Sequence, residues 1–515
     1  MPGVRQRVSA LGLLVLAIVA VMAACPVTAQ VTRVTPTLSG RFTWTNNYDL
    51  QSEANRESDF ITTITPGISV DYGGPRSYLR GYVRVPLVIY AKHSSENTAR
   101  PTAALNGHFE AIKDFFFVDA EASVTQEYFS PFGAQPDNIE SVTENRYTSQ
   151  TYRITPYIQG NIGSNVSYLL RDSNVWRVNS NRSSGTGGSL VNSYVNDLFG
   201  TINRVPTPLG WGADVNRTEY RYSGRGSQLM ELARLRGVWQ ADPQLQLFVS
   251  GGYERNRFSL LENSNAVYGG GFRWRPTERT TLDARAEERF FGTSYDILFE
   301  HRTSRAVWSL QARRNTSDLP EYIGRLPAGV SVPGLLNVVL ANRITDPAER
   351  ARFIAEFMDD RGLPLVLDAP LDLYDPQIDV RETLIASLVL LGVRNTVLLS
   401  VYRATTEEIE TAGIDIPPIT GPRNNNTQTG VRAVWSNQLA PRTSMALSAG
   451  FRRTESETRF GVRSESTDVR WTVSHTVSPR TSVFGGARWQ ESDSTQQISD
   501  YTEAAVFVGF NHSFR

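Results

Sequence analysis

The side chains able to do covalent or metal chemistry are few and poorly grouped. Five histidines, His93, His108, His301, His475 and His512, occur in 515 residues, and none shows the His-x-x-x-His spacing that brings two imidazoles to one metal. Ser474 and His475 are adjacent in an alternating segment, so they point to opposite faces and cannot pair as nucleophile and base. His301, between Glu300 and Arg302, is the one position that resembles the rim site of a barrel hydrolase; a solvated imidazole accounts for it more simply. Gly269-Gly270-Gly271 is followed by neither Lys-Ser/Thr nor a helix, which removes a phosphate loop. No catalytic, cofactor-binding or metal-ligating residue is assigned, and the chain is expected not to be an enzyme.

What the sequence does contain is charge at alternate positions. Asp283, Arg285, Glu287 and Arg289 share one face of a single segment, opposite Leu282, Ala284 and Ala286. Arg273, Arg432, Arg470 and Arg488 hold equivalent places in other segments. Four such charges in one strand are costly against a globular core but tolerable along a hydrated interior. These eight residues are the candidate lining of a lumen. Basic groups dominate them, which predicts a preference for acidic polymers.

The elements that would position such a lining are strands. In Thr467–Val477, Val469, Trp471, Val473 and Val477 oppose Asp468, Arg470, Thr472, Ser474 and Thr476, and Arg305–Arg313 and Met445–Phe451 repeat the pattern. The segments run near ten residues, the ~9–11 needed to cross a bilayer at a tilt. Short turns such as Asp242-Pro243, Ala440–Arg442 and Ser478–Arg480 alternate with long polar loops such as 46–58, 131–146 and 406–426. Trp239, Trp274 and Trp435 each fall just before a short turn, where a membrane barrel places interfacial aromatics. Strands in lipid must pair both edges, so the sheet has to close, with apolar faces outward and polar faces inward. That inversion explains a mean hydropathy of −0.30 beside 10% aromatics. The alternation predicts an all-β fold, a transmembrane antiparallel β-barrel of about 22 strands within a range of 18–26, including segments at 189–200 and 266–274.

The ends and one insertion complete the organisation. Arg5 and Arg7 precede an uncharged apolar run from Val8 to Ala24, and Val27-Thr28-Ala29 offers a cleavage site, so 1–29 is expected to be a signal peptide and 30–515 the barrel. Lipidation of Cys25 is the alternative, although Met22 and Pro26 suit it poorly. Cleavage after Ala29 leaves no cysteine, excluding disulfides and thiolate chemistry. Residues 317–379 lack alternation and form a long loop containing a helix at Asp346–Arg361, with Phe353, Ile354 and Phe357 as its apolar side. Barrels of this size are plugged, so the loop is a candidate lumen constriction. The balance of 52 basic and 52 acidic residues argues against nucleic acid as a partner. Strand patterning begins soon after the signal, leaving no evident plug domain for siderophore-type uptake.

Several stretches resemble the PEP-CTERM/exosortase-system-associated outer-membrane proteins: Ser58–Ile68, Phe129–Gln135, Tyr152–Tyr157, Tyr268–Pro276, Arg289–Tyr295 and Phe299–Trp308. The resemblance implies an outer-membrane barrel of a Gram-negative, exopolysaccharide-producing bacterium. The partners it implies are membrane lipid, exopolysaccharide and export-machinery proteins, and it implies no cofactor. The expected function is passive passage or surface presentation of a hydrophilic polymer. The alternatives are a non-conducting scaffold barrel or a barrel hydrolase.

Overall fold

A computed structural model of the chain describes residues 31–179, 192–223, 227–258, 261–316, 330–341, 343–361, 363–364, 366–367, 370, 379–408, 425–456, 461–495 and 500–514. The expected signal peptide, including Cys25, lies outside the described residues.

One antiparallel sheet of 24 segments winds round the molecule and closes where the first strand, Val31–Thr45, pairs with the last, Tyr501–Ser513. Two strands are interrupted. Ser77–Arg84 and Leu87–Tyr90 are halves of one strand, and Thr98–Ala99 and Thr102–Ile112 are halves of the next. Pro86 and Pro101 sit at the two breaks and have no amide proton to give to the ladder; Pro86 O instead accepts from Arg100 N at 2.9 Å. Counted as continuous, the sheet is a closed barrel of 22 strands. The segment expected at 189–200 is Ser193–Arg204, and that expected at 266–274 runs longer, over Leu261–Thr277. Two to four residues make every turn at one end of the barrel, from 74–76 to 479–480.

Alternation becomes sidedness. All nine tryptophans of the chain are at least 37% exposed, whereas Glu140, Arg177, Glu254, Gln428 and Glu503 are fully buried. A soluble core would reverse that distribution. Outward positions of Leu209–Tyr222 run Trp211, Ala213 and Val215 from the short-turn end, then Arg217, Glu219 and Arg221. Those of Ser227–Gln240 run Trp239, Gly237, Leu235 and Ala233, then Glu231. About four outward positions, two residues apart at ~3.3 Å per residue, make an apolar belt of about 20 Å measured along the strand. Beyond it the strands continue with charge on their outer face, pairing Arg217 with Glu231 and Arg255 with Glu262. Among the described residues no helix is long and apolar enough to cross a membrane.

The glycine run in Leu261–Thr277 has a steric reason. A Cβ on Gly269 would lie 2.2 Å from Ala286 O and 2.6 Å from Glu287 Cγ. Only a residue without one lets the two strands approach and leaves Glu287 its place on the inner wall. Gly269→Ala is therefore expected to lower sharply the yield of heat-modifiable, folded barrel on electrophoresis. Gly251→Ala, whose Cβ would meet nothing within 4 Å, is expected to fold as the parent does.

Candidate functional site in the lumen

The eight candidate lining residues fall into two groups. Arg273, Asp283, Arg285, Glu287 and Arg289 occupy one wall. Arg273 Nη2 is 2.6 Å from Asp283, and Arg285 pairs with Asp296 at 3.4 Å. Arg234 bridges Asp214 at 2.8 Å and Glu287 at 2.6 Å, spanning two intervening strands, which is open to it only on the concave side of the sheet. Ser250 donates to Glu287 at 2.8 Å, and Arg289 reaches Glu254 at 2.8 Å. Glu287 and Glu254 are buried in this network, while Arg273 and Arg285 keep 47% and 41% of their side chains exposed. A cavity of about 600 Å³ opens in front of them, lined by Arg204, Arg236, Arg273 and Arg285 against Asp283 and Asp296. A smaller one of about 180 Å³ shares Arg285 and Asp296 and extends to Asp214, Arg234 and Phe199.

The remaining three, Arg432, Arg470 and Arg488, lie on another wall; Arg432 and Arg488 are buried, and Arg470 keeps 28% of its side chain exposed. Arg432 donates to Asp468 at 3.0 Å. Arg470 and Arg488 are held by the loop 129–145, which turns into the barrel: Asp137 meets Arg470 at 3.1 Å, and Glu140 meets Arg488 at 2.8 Å and Arg41 at 3.2 Å. Arg488 also pairs with Glu503 at 2.9 Å, to which Thr45 donates at 2.8 Å. Tyr90 donates to the backbone carbonyl of Glu140, and Arg146 donates to the carbonyls of Asn138 and Ser141 at 2.7 and 3.1 Å. Burial alone would raise the Glu140 carboxyl, but the Arg41 and Arg488 guanidiniums outweigh it and hold it below the usual carboxylate range.

A second body of chain enters from the insertion between Ala306–Thr316 and Asp379–Leu391. It contains α1 (Val332–Leu340) and α2 (Pro347–Arg361). Ser331 caps α1 by accepting from Gly334 N at 3.1 Å, with Pro333 in the first turn. Leu335, Leu336 and Val339 of α1 and Ile354 and Met358 of α2 bury against Val307, Val389, Leu398 and Val434, all inward positions of barrel strands. Arg343 donates to Ser304 O at 2.7 Å and Arg361 to Val393 O at 2.9 Å, both in short turns, so the helices reach the short-turn mouth. Here the lumen wall is apolar, not polar as the alternation implied, because it is a packing surface for the helices. Phe353, expected on the apolar side of α2, is exposed and stacks on Phe357 at 6.0 Å, while Met358 takes the buried place.

Outside the lumen, His93 joins two loops at the opposite end. Its ring contacts Glu57 at 2.7 Å and Asp59 at 2.8 Å and stacks on Tyr48 at 4.1 Å. The hydrogen bond to Asp59 raises its pKa above the ordinary imidazole value. A raised folded-state pKa means that the stabilisation is complete below the unfolded value and lost as pH rises through the folded one. Protection factors of residues 46–58, taken relative to the intrinsic exchange rate at each pH, are expected to be higher at pH 6 than at pH 9, and His93→Ala removes that difference. Among the described residues no group of three or more His, Cys, Asp or Glu side chains is arranged to hold a metal.

Arg234, Arg236, Asp214 and Glu254 belong to the lining and carry the same alternation that marks Asp283 and Arg285. Glu140 sits in a loop, where no periodicity points to it.

In fold the chain is similar to the siderophore receptor PirA from Acinetobacter baumannii, with 9% identity over 95% of this chain and 81% of that one and a TM-score of 0.50. The FrpB iron transporter from Neisseria meningitidis (F5-1 variant) aligns at 9% identity over 93% and 82% with a TM-score of 0.47. A doubly substituted form of the ferric enterobactin receptor PfeA from Pseudomonas aeruginosa aligns at 10% over 94% and 80%, also with a TM-score of 0.47. No family model matches the chain and no curated protein matches it in sequence, so the resemblance to exosortase-associated proteins rests on the quoted segments alone. Identity this low carries the architecture and nothing finer. The chain has the fold of a large outer-membrane β-barrel, with a lumen filled on one side by its own loops.

Proposed function

We propose that the protein sits in the outer membrane of a Gram-negative bacterium and passes or presents an anionic hydrophilic polymer, an exopolysaccharide of the secreting cell. The observation that supports this reading is the division of the lumen. Two inward-folded segments occupy one side, while the wall opposite keeps a water-facing cavity with four arginines against two aspartates. Exposed guanidiniums on a rigid wall attract carboxylate-bearing chains and hydrogen-bond hydroxyls, and no step of chemistry is needed for passage. Planar-bilayer reversal potentials test it: anion selectivity is expected, and Arg273→Glu with Arg285→Glu shifts it toward cations. A cation-selective parent protein contradicts the proposal.

The two inward-folded segments also favour a second reading, a non-conducting scaffold whose outer loops hold surface polymer. An inserted barrel that conducts nothing, in cells whose polymer is made but not retained at the surface, would select it. Deleting the gene and locating the polymer in periplasm or medium distinguishes export from retention.

A further inference from the structure

Aromatic rings on the inside of a wet barrel need a reason, because a hydrated wall is better served by polar groups. Tyr78 shares its face with Arg80, which reaches Asp71 across the ladder at 3.0 Å, whereas Phe60, Ile68 and Phe109 point outward on the same strands or their neighbours. Tyr78 stacks on His108 with centroids 5.4 Å apart, His108 on Phe117 at 5.8 Å, and Phe117 on Tyr157 at 5.1 Å. The planes differ by only 21°, 26° and 17°. Tyr78, His108 and Tyr157 keep part of their surface open, while Phe117, only 8% exposed, fills the row between His108 and Tyr157. Asp119 fixes His108 from the side at 2.7 Å. Tyr157 is the ladder partner of Arg171, whose guanidinium lies 5.5 Å over Phe199, and Phe199 lines the smaller cavity. The row thus crosses six adjacent strands and ends at the arginine-bearing wall. Tyr78, at its other end beside the turn 74–76, is 42% exposed.

We infer that Tyr78, His108, Phe117, Tyr157, Arg171 and Phe199 form a sugar-stacking track at the short-turn mouth. Its cargo is the pyranose rings of an acidic polysaccharide. This rests on the proposed function and names the groups that hold the cargo. A pyranose presents apolar C–H faces with hydroxyls around its edge. A row of ring faces flanked by Asp, His and Arg side chains matches both parts at once. A chain recognised by charge alone would have no use for the rings. Partly open rings hold each sugar weakly, which lets a polymer move from one to the next.

Equilibrium dialysis of the detergent-folded protein tests this without requiring conductance. The probes are a fluorescently labelled hexauronate, labelled maltohexaose, and poly-glutamate of matched charge. Both oligosaccharides are expected to bind, the uronate more tightly. Tyr78→Ala and Tyr157→Ala are each expected to weaken both about three- to tenfold, the double variant further, and Tyr78→Phe to keep parental affinity. Poly-glutamate binding is expected to be unchanged by the ring variants. Heat-modifiable migration confirms that each variant is folded. Failure of the parent to bind either sugar overturns the track, as does sugar affinity unchanged in the folded double variant or an equal loss for poly-glutamate. Such results beside an anion-selective channel leave the conduit reading standing. Sugar binding with no conductance removes passage and leaves the track.

Discussion

Glu140→Ala is expected to open the barrel. The carboxylate is wholly buried between Arg41 and Arg488, and it anchors a loop that is also held through its backbone carbonyls, through Asp137 on Arg470 and through Gln135, which accepts from Arg452. Removing one partner of a fully buried pair costs about 3–5 kcal/mol; the cost here lies below that, because the Arg41 side chain is 32% exposed and Arg488 has a second partner. Arg488 retains Glu503, but Arg41 is left with the rings of Phe484 and Phe507, each 5.4 Å away. The loop 129–145 should then leave the lumen for part of the time. Single-channel recordings are expected to show a several-fold larger or a flickering conductance, with Glu140→Gln intermediate. Quiet parental conductance in a folded Glu140→Ala barrel would show that the loop gates nothing. The pH dependence has a definite sign. A carboxyl held below its ordinary pKa gives stability that is complete above the unfolded value and is lost as pH falls through the folded one. The latch should therefore hold throughout the neutral range and release only in strong acid.

Deleting residues 320–375 is expected to have the other large effect. It removes α1 and α2 and exposes Val307, Val389, Leu398 and Val434 to the lumen. The strands flanking the gap, Ala306–Thr316 and Asp379–Leu391, pair with each other along their length, so the barrel wall does not depend on the insertion. Conductance should rise several-fold while the folded fraction falls, since an apolar inner patch then faces water. Replacing Leu398 and Val434 with Ser in the deletion variant should recover folded yield. Unchanged conductance of the inserted deletion variant would show that the helices do not obstruct the path.

The wall was legible in the sequence because a period of two is both the pleat of a strand and the rule for which face meets lipid. Asp283, Arg285, Glu287 and Arg289 declare their side by Leu282, Ala284 and Ala286 between them. What fills the lumen was less legible. Helix α2 shows its bounds at Asp346 and Arg361, but its buried face depends on where the loop re-enters the barrel. That is why Met358 and not Phe353 is inside. The apolar inner patch did leave a trace: Leu384–Leu391 and Val397–Leu399 lose their alternation, as strands do when both faces are covered. Glu140 left none. Its partners lie 99 and 348 residues away, and no local pattern records pairing at such range.

The seam between Val31–Thr45 and Tyr501–Ser513 dictates how the molecule can come into being. Its two sides are the first and last strands to leave the ribosome, so the hydrogen-bonded ring exists only after the entire polypeptide has been delivered. Until then any partly built sheet has two raw margins of amide and carbonyl groups, which hydrocarbon will not accept. A nonsense codon anywhere upstream of Tyr501 should therefore yield no smaller pore, only a fragment for proteases to clear.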